Sequence, residues 1–139
     1  MIRSSTATWK GPGFNGEGRI TTDSQVLNDV PFNYNARFSD EVTGTNPEEL
    51  LAAAHASCFT MKLSFVLGEA GFTADFLKTT ADIHFINGSI AGSHLKISAK
   101  IKGISQEVFN ESVAEAERCC PISRVLNTKI TFEATVDSN

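Results

Sequence analysis

The chain has 139 residues, of which 41% are hydrophobic and 20% charged, and its formal net charge is -4. That is the profile of one ordinary globular domain, and a chain of this size buries roughly two-thirds of its unfolded surface, so neither metal nor disulfide is needed to hold it together. Twelve Lys and Arg are scattered among sixteen Asp and Glu, which gives no basic face and excludes nucleic acid as an expected partner. The opening MIRSSTATWKGPGFNG lacks the apolar core of a signal peptide, and no run reads as approaching the ~20 apolar residues of a membrane span. Three cysteines without a CxxC pair fit a reducing compartment. The expectation is a cytoplasmic, single-domain protein over residues 1–139, away from membranes, with no internal repeat or linker.

In chain order, STATWKGPGFNGEGRITTDS carries β-prone runs on either side of a glycine-rich turn, Gly11 to Gly18, and reads as a hairpin. QVLNDVPFNYNARFSD reads as a second short strand pair, turning at Asn28, Asp29 and Pro31. A long helix then starts with Asn46 as N-cap, Pro47 at the first helical position and Glu49 three residues after the cap. Its end is set by Gly71 followed by Phe72, and Pro47 to Ala70 spans about 36 Å. TTADIHFING and SHLKISAKIKG alternate, with Ile83 and Phe85 on one strand and Leu95, Ile97, Ala99 and Ile101 on the other, and turn between Gly88 and Gly92. A second helix over residues 106–118 is capped by Ser105 and stopped by Pro121. A short helical turn over residues 122–126 precedes the last strand, KITFEATVD. The sum is an α+β domain with an antiparallel sheet and helices on one face.

Leu50, Ala54, Cys58, Met61 and Phe65 are spaced as one helical stripe, which predicts that Cys58 faces the core. A free cysteine there is either a small hydrophobe or a reactive thiol. Burial alone raises its pKa and makes it inert. One positive charge at about 4 Å, at an effective dielectric near 20, contributes on the order of 4 kcal/mol and can offset that burial. Arg19 and Arg37 are the upstream candidates for the cation; Lys62, off the stripe and long enough to reach water, is set aside. Glu48 is either a helix-dipole carboxylate or the group that orients an arginine. His55, three residues before Cys58, reads as structural or surface, and no short ligand spacing points to a metal.

In AERCCPISRVL, Phe109, Val113, Ala116 and Cys120 continue one helical stripe, while Cys119 points about 100° away. Two cysteines here either fill core or, with a second thiol beside a breakable helix end, serve a two-step redox cycle in which a sulfenate is resolved as a disulfide.

Taken together, GTNPEELLAAAHASCFTMKLSFVLGEAGF and the downstream CPISRVLN resemble the OsmC/Ohr family of organic hydroperoxide reductases, in its OsmC branch; NARF, TTADI and the final strand extend the likeness over the whole chain. The resemblance implies antiparallel sheets wrapped around two central helices in an intertwined homodimer, with active sites at the interface. It implies Cys58 as the peroxidatic cysteine, Cys120 as the resolving cysteine, Arg37 as the active-site arginine and Glu48 as the carboxylate that holds it, with Arg19 as the fallback. It also implies an organic hydroperoxide substrate and a dithiol reductant carried by a dihydrolipoyl protein, without flavin, haem or metal. Cys119 stands where the family pattern has a non-thiol residue, which leaves two candidates for the resolving thiol. The loop from Arg37 to Glu48 is about a residue longer than the family's. The competing readings are a noncatalytic hydrophobic-ligand or redox-sensing domain and a general thiol-disulfide oxidoreductase.

Overall fold

The computed structural model describes residues 1–40 and 43–139, which group into two compact units, Met1–Leu50 and Leu51–Asn139. In the first unit the expected hairpin forms: β1 (Ser5–Lys10) pairs antiparallel with β2 (Glu17–Thr22), Trp9 opposite Gly18. A third strand, β3 (Val30–Phe32), lies on the other edge of β2. The expected second strand pair does not form, because the chain leaves β3 into a 3₁₀ turn, Asn35–Arg37. Pro31 withholds one ladder donor, and the Asn33 side chain accepts from the Ala36 N–H at 2.8 Å, which curls the chain. Gly44 sits at φ +94°, and a Cβ there would stand 2.0 Å from the Pro31 carbonyl oxygen. Only glycine meets both demands.

The first turn of helix α1 (Pro47–Glu69) belongs to this unit and is capped as the sequence predicts. Asn46 Oδ1 accepts from the Glu49 N–H at 2.8 Å, and the Asn46 amide donates to the Ala36 carbonyl at 3.1 Å. The Glu49 carboxylate does not close a capping box but accepts from the Thr45 hydroxyl at 2.6 Å. At the other end Gly71 adopts φ +86° and the Phe72 N–H bonds to the Leu67 carbonyl at 2.9 Å, the glycine C-cap that the sequence predicts.

The second unit contains the rest of α1, β4 (Phe76–Ile86), β5 (Ser89–Lys100), α2 (Gln106–Cys119), α3 (Pro121–Val125) and β6 (Lys129–Asp137). β4 and β5 form the predicted hairpin, turning on Asn87 at φ 50° and Gly88 at φ 80°; two left-handed residues in succession match the strand twist. The α+β class holds, but the sheet is mixed: β6 pairs parallel with β5, Gly92 opposite Lys129 through Lys100 opposite Asp137. The reason is the connection. The helical crossover through α2 and α3 returns the chain to the end of the sheet where β5 began.

The core contains the predicted rows of β5 (Leu95, Ile97, Ala99, with Ile101 after it) and α2 (Phe109, Val113, Ala116, with Cys120 after it). α1 differs from expectation. Its buried stripe is His55, Phe59, Leu63 and Leu67, whereas Met61 and Phe65 are 60% and 64% exposed and Leu50, Ala54 and Cys58 are half-buried. The helix is apolar nearly all round, so spacing defines several stripes without choosing which one faces the sheet. By length and composition α1, at 23 residues, is also apolar enough to cross a membrane, contrary to the reading that no run comes near. A core helix has the same character, and the Phe59 stripe packs in the core of this unit.

His55 is not at the surface. It is fully buried, with Nδ1 2.7 Å from Ser93 Oγ on β5 and Nε2 2.8 Å from Ser123 Oγ on α3. A neutral imidazole offers one donor and one acceptor, so one serine hydroxyl accepts and the other donates. Burial pulls the pKa of His55 below its ordinary value.

Leu63→Ala is expected to destabilise the fold by about 2–5 kcal/mol in urea unfolding, because it opens a cavity in the core of the second unit. His55 gives a pH dependence of definite sign. Its folded-state pKa lies below that of the unfolded chain, so as pH falls through about 6.5 the unfolded state takes up the proton first and stability drops. The urea midpoint should fall from pH 7.5 to pH 5, and His55→Gln, less stable at pH 7.5, should show a shallower decline.

Candidate active site

Two of the predicted site residues meet in the second unit. Cys58 lies on α1 and packs half-buried against the core. Cys120 is fully buried at the joint between α2 and α3, where its extended backbone (φ -64°, ψ 121°) ends one helix and caps the next. Pro121 forces that break. Cys58 packs against the core cluster that contains Cys120, and the Cys120 thiol and the Ile122 backbone on α3 lie near enough to the Cys58 sulfur to influence its ionisation. Burial, first, and then Cys120 raise the Cys58 thiol above its ordinary pKa, while the Ile122 N–H and the Lys62 ammonium pull the other way. Lys62, set aside on helical geometry, therefore does bear on this thiol. Its flexible stem brings its charge within influence of both Cys58 and Cys119.

Cys119 turns away from that pair. Its thiol donates to Glu115 Oε1 at 3.1 Å, one helical turn back, and Glu115 is gripped by Arg118 through contacts of 2.6 and 2.9 Å. The Arg118 bonds hold the Glu115 carboxyl down to about 2. That carboxylate raises the Cys119 thiol, since a negative neighbour disfavours a thiolate. Of the adjacent cysteines, Cys120 is the one that contacts Cys58. The separation of about 100° read from the helix accounts for the split.

The other two predicted residues meet in the first unit. Arg37, at the end of the 3₁₀ turn, brings Nε to 3.3 Å from Glu48 Oε2 at the start of α1. Both are largely shielded, with side-chain exposures of 29% and 14%. The Asn46 bond to the Ala36 carbonyl fixes the turn that carries Arg37 against the helix that carries Glu48. Glu48 therefore does more than complement the helix dipole. Arg19, the alternative arginine, is half-exposed on β2 and donates to the Asp29 carbonyl at 3.2 Å. Beside Arg37 a cleft of about 140 Å³ is lined by Trp9, Phe32, Tyr34 and Pro47. Phe14 packs edge-on to Tyr34 at 4.9 Å between centroids.

Among the described residues no group of three or more His, Cys, Asp or Glu side chains is arranged to hold a metal. Reading the sequence missed the partners of His55. Serine carries no periodic signal, and Ser93 and Ser123 lie 38 and 68 residues away in the chain.

The family model for OsmC-like proteins matches residues 39–135. The chain is 41% identical over 140 residues to Peroxiredoxin OsmC of Escherichia coli (strain K12), covering 98% of this chain and 97% of that protein. It is 31% identical over 115 residues to organic hydroperoxide resistance protein OhrB of Bacillus subtilis (strain 168), covering 77% and 79% of the two chains. Among solved structures it resembles an organic hydroperoxide resistance protein from Elizabethkingia anophelis, with a TM-score of 0.68 and 26% identity, covering 100% of this chain and 99% of the other. With two thiols in contact at a helix break, and a family match that includes both of them, the chain belongs to the OsmC-like protein family.

Proposed function

We propose that this chain is a thiol peroxidase that reduces organic hydroperoxides to alcohols, with Cys58 as the thiol that is oxidised and Cys120 as the thiol that resolves it. The observation that carries this reading is the contact between Cys58 on α1 and Cys120 at a helix break, in a chain whose relatives are named for peroxiredoxin activity and organic hydroperoxide resistance. The Cys58 thiolate attacks one oxygen of the hydroperoxide. The O–O bond breaks, the sulfur becomes a sulfenic acid, and the departing alkoxide takes a proton and leaves as the alcohol. The Cys120 thiol then attacks the sulfenic sulfur, water leaves, and a Cys58–Cys120 disulfide remains. An external dithiol supplies two electrons by thiol-disulfide exchange; a dihydrolipoyl group carried by a protein is the reductant in this reading.

The surroundings of Cys58 in the second unit raise its pKa on balance, so the chemistry needs a cation to hold the thiolate. The role falls to Arg37, oriented by Glu48. A guanidinium cannot deprotonate in a protein, and the aromatic cleft beside this one suits an apolar organic group better than it suits hydrogen peroxide. The functional form in this reading is a homodimer with its active sites at the interface. In support, Met61 and Phe65 leave an apolar face of α1 uncovered, and a groove of about 720 Å³ runs along it, lined by Ala53, Ser57, Met61 and Leu77 among others. The working compartment is the cytoplasm, where three free thiols stay reduced.

Cys58→Ser should reduce cumene hydroperoxide turnover to under about 1% of wild type; retained turnover would sink the peroxidase assignment. Mass spectrometry of peroxide-treated protein should find the Cys58–Cys120 linkage, and a linkage to Cys119 would reassign the resolving thiol. Arg37→Met should lower kcat/KM by about a hundredfold and move the thiolate absorbance titration of Cys58 upward. An unchanged titration would show that the cation comes from elsewhere.

A further inference from the structure

The buried imidazole of His55 takes no part in the reaction proposed above, yet it stands one helical turn before Cys58. Its two bonds tie three elements together. Nδ1 holds Ser93 on β5 at 2.7 Å, and Nε2 holds Ser123 on α3 at 2.8 Å. α3 is five residues long, too short to be held by its own backbone bonds. Ser123 is its buried residue, while Val125 is 75% exposed and Pro121 and Arg124 face outward. Ser123 directly follows Ile122, whose backbone lies near the Cys58 sulfur, and lies three residues after Cys120. A bond between His55 and Ser123 thus fixes the α3 segment to the helix that carries Cys58, next to Cys120 and Ile122, the two groups near its sulfur.

We propose that His55 and Ser123 are positioning residues for the thiol pair: their buried hydrogen bond docks α3 onto α1 and thereby sets the effective concentration of Cys120 at Cys58. A disulfide forms only when the two Cα atoms lie within about 7 Å and the Cβ vectors converge. A segment freed by the proline break would spend part of its time outside that geometry. A sulfenic acid that waits for its partner is open to a second oxidation, to sulfinic acid, which no thiol reverses. The side-chain bond adds a directional tether to the packing of Ile122 against the core, and it can break and re-form as the disulfide forms and is reduced. Ser93 serves a different end: on the rigid sheet it orients the imidazole. The kinetic part of this proposal rests on the peroxidase reading; the effective concentration does not.

The test uses full-length protein in a Cys119→Ser background, which removes the third thiol. Ser123→Val and Ser123→Thr differ from one another by a hydroxyl at equal volume, and Ser123→Ala provides a smaller variant should the larger pair fail to fold. In glutathione redox buffers, Ser123→Val and Ser123→Ala should lower the effective concentration of the Cys58–Cys120 pair about tenfold, a rise of about 30 mV in its reduction potential. Ser123→Thr should stay near the parent, and Ser93→Ala should shift it less than twofold. With cumene hydroperoxide, Ser123→Ala should let dimedone-trapped sulfenic acid accumulate above the parental level. Parental effective concentration in both Ser123→Val and Ser123→Ala, or equal losses in Ser123→Val and Ser123→Thr, would overturn the proposal. If peroxide leaves Cys58 of the parent unoxidised, the peroxidase reading fails, and the glutathione equilibria still decide the positioning role.

Discussion

The second unit depends on one stripe of α1 finding its seat. Phe59, Leu63 and Leu67 are all but fully buried, in one cluster with Leu95, Ile97 and Ala99 of β5 and with Phe109 and Val113 of α2. Each such side chain contributes roughly 1.5–3 kcal/mol on burial, so the rotation of α1 about its axis is strongly fixed. That rotation decides the rest. It turns Cys58 to the margin of the core, where a thiol can meet both Cys120 and the edge of the helix break, and it leaves Met61 and Phe65 outward.

Within that frame a few polar groups tie the elements together. His55 takes the one stripe position of α1 that is not apolar, and its neutral ring is affordable there because both nitrogens have serine partners. Asn46 caps α1 and at the same time grips the 3₁₀ turn, which brings Arg37 and Glu48 together. Cys119 spends its thiol on Glu115. Neighbours in sequence therefore have opposite environments, because successive side chains at the end of α2 point about 100° apart.

Much of this was legible in the chain. The boundaries of α1 follow from Asn46, Pro47 and Gly71, residues whose backbone chemistry acts locally. The inward rows of β5 and α2 follow from alternation and from helical spacing, since both segments have one polar and one apolar face. Where a segment is apolar on every side, as α1 is, the same method marks several stripes without ranking them, and it placed Met61 and Phe65 inside when they are outside. The parallel pairing of β6 was hidden for another reason. Strand direction depends on where the crossover returns the chain, and a strand's own residues do not record it.

The sequence by itself determined the element order, the helix caps, the placement of Cys120 on a buried stripe and the likeness of its two cysteine segments to one family, because local backbone preferences and period decide those. Tertiary structure alone decided which face of α1 is buried, that Cys120 and not Cys119 touches Cys58, that Arg37 faces Glu48, and that His55 is bonded between two serines from distant segments. The physical reason is common to all four. Each is a contact between groups far apart in the chain or a choice among equally apolar surfaces, and its energy exists only once the partner element is in place.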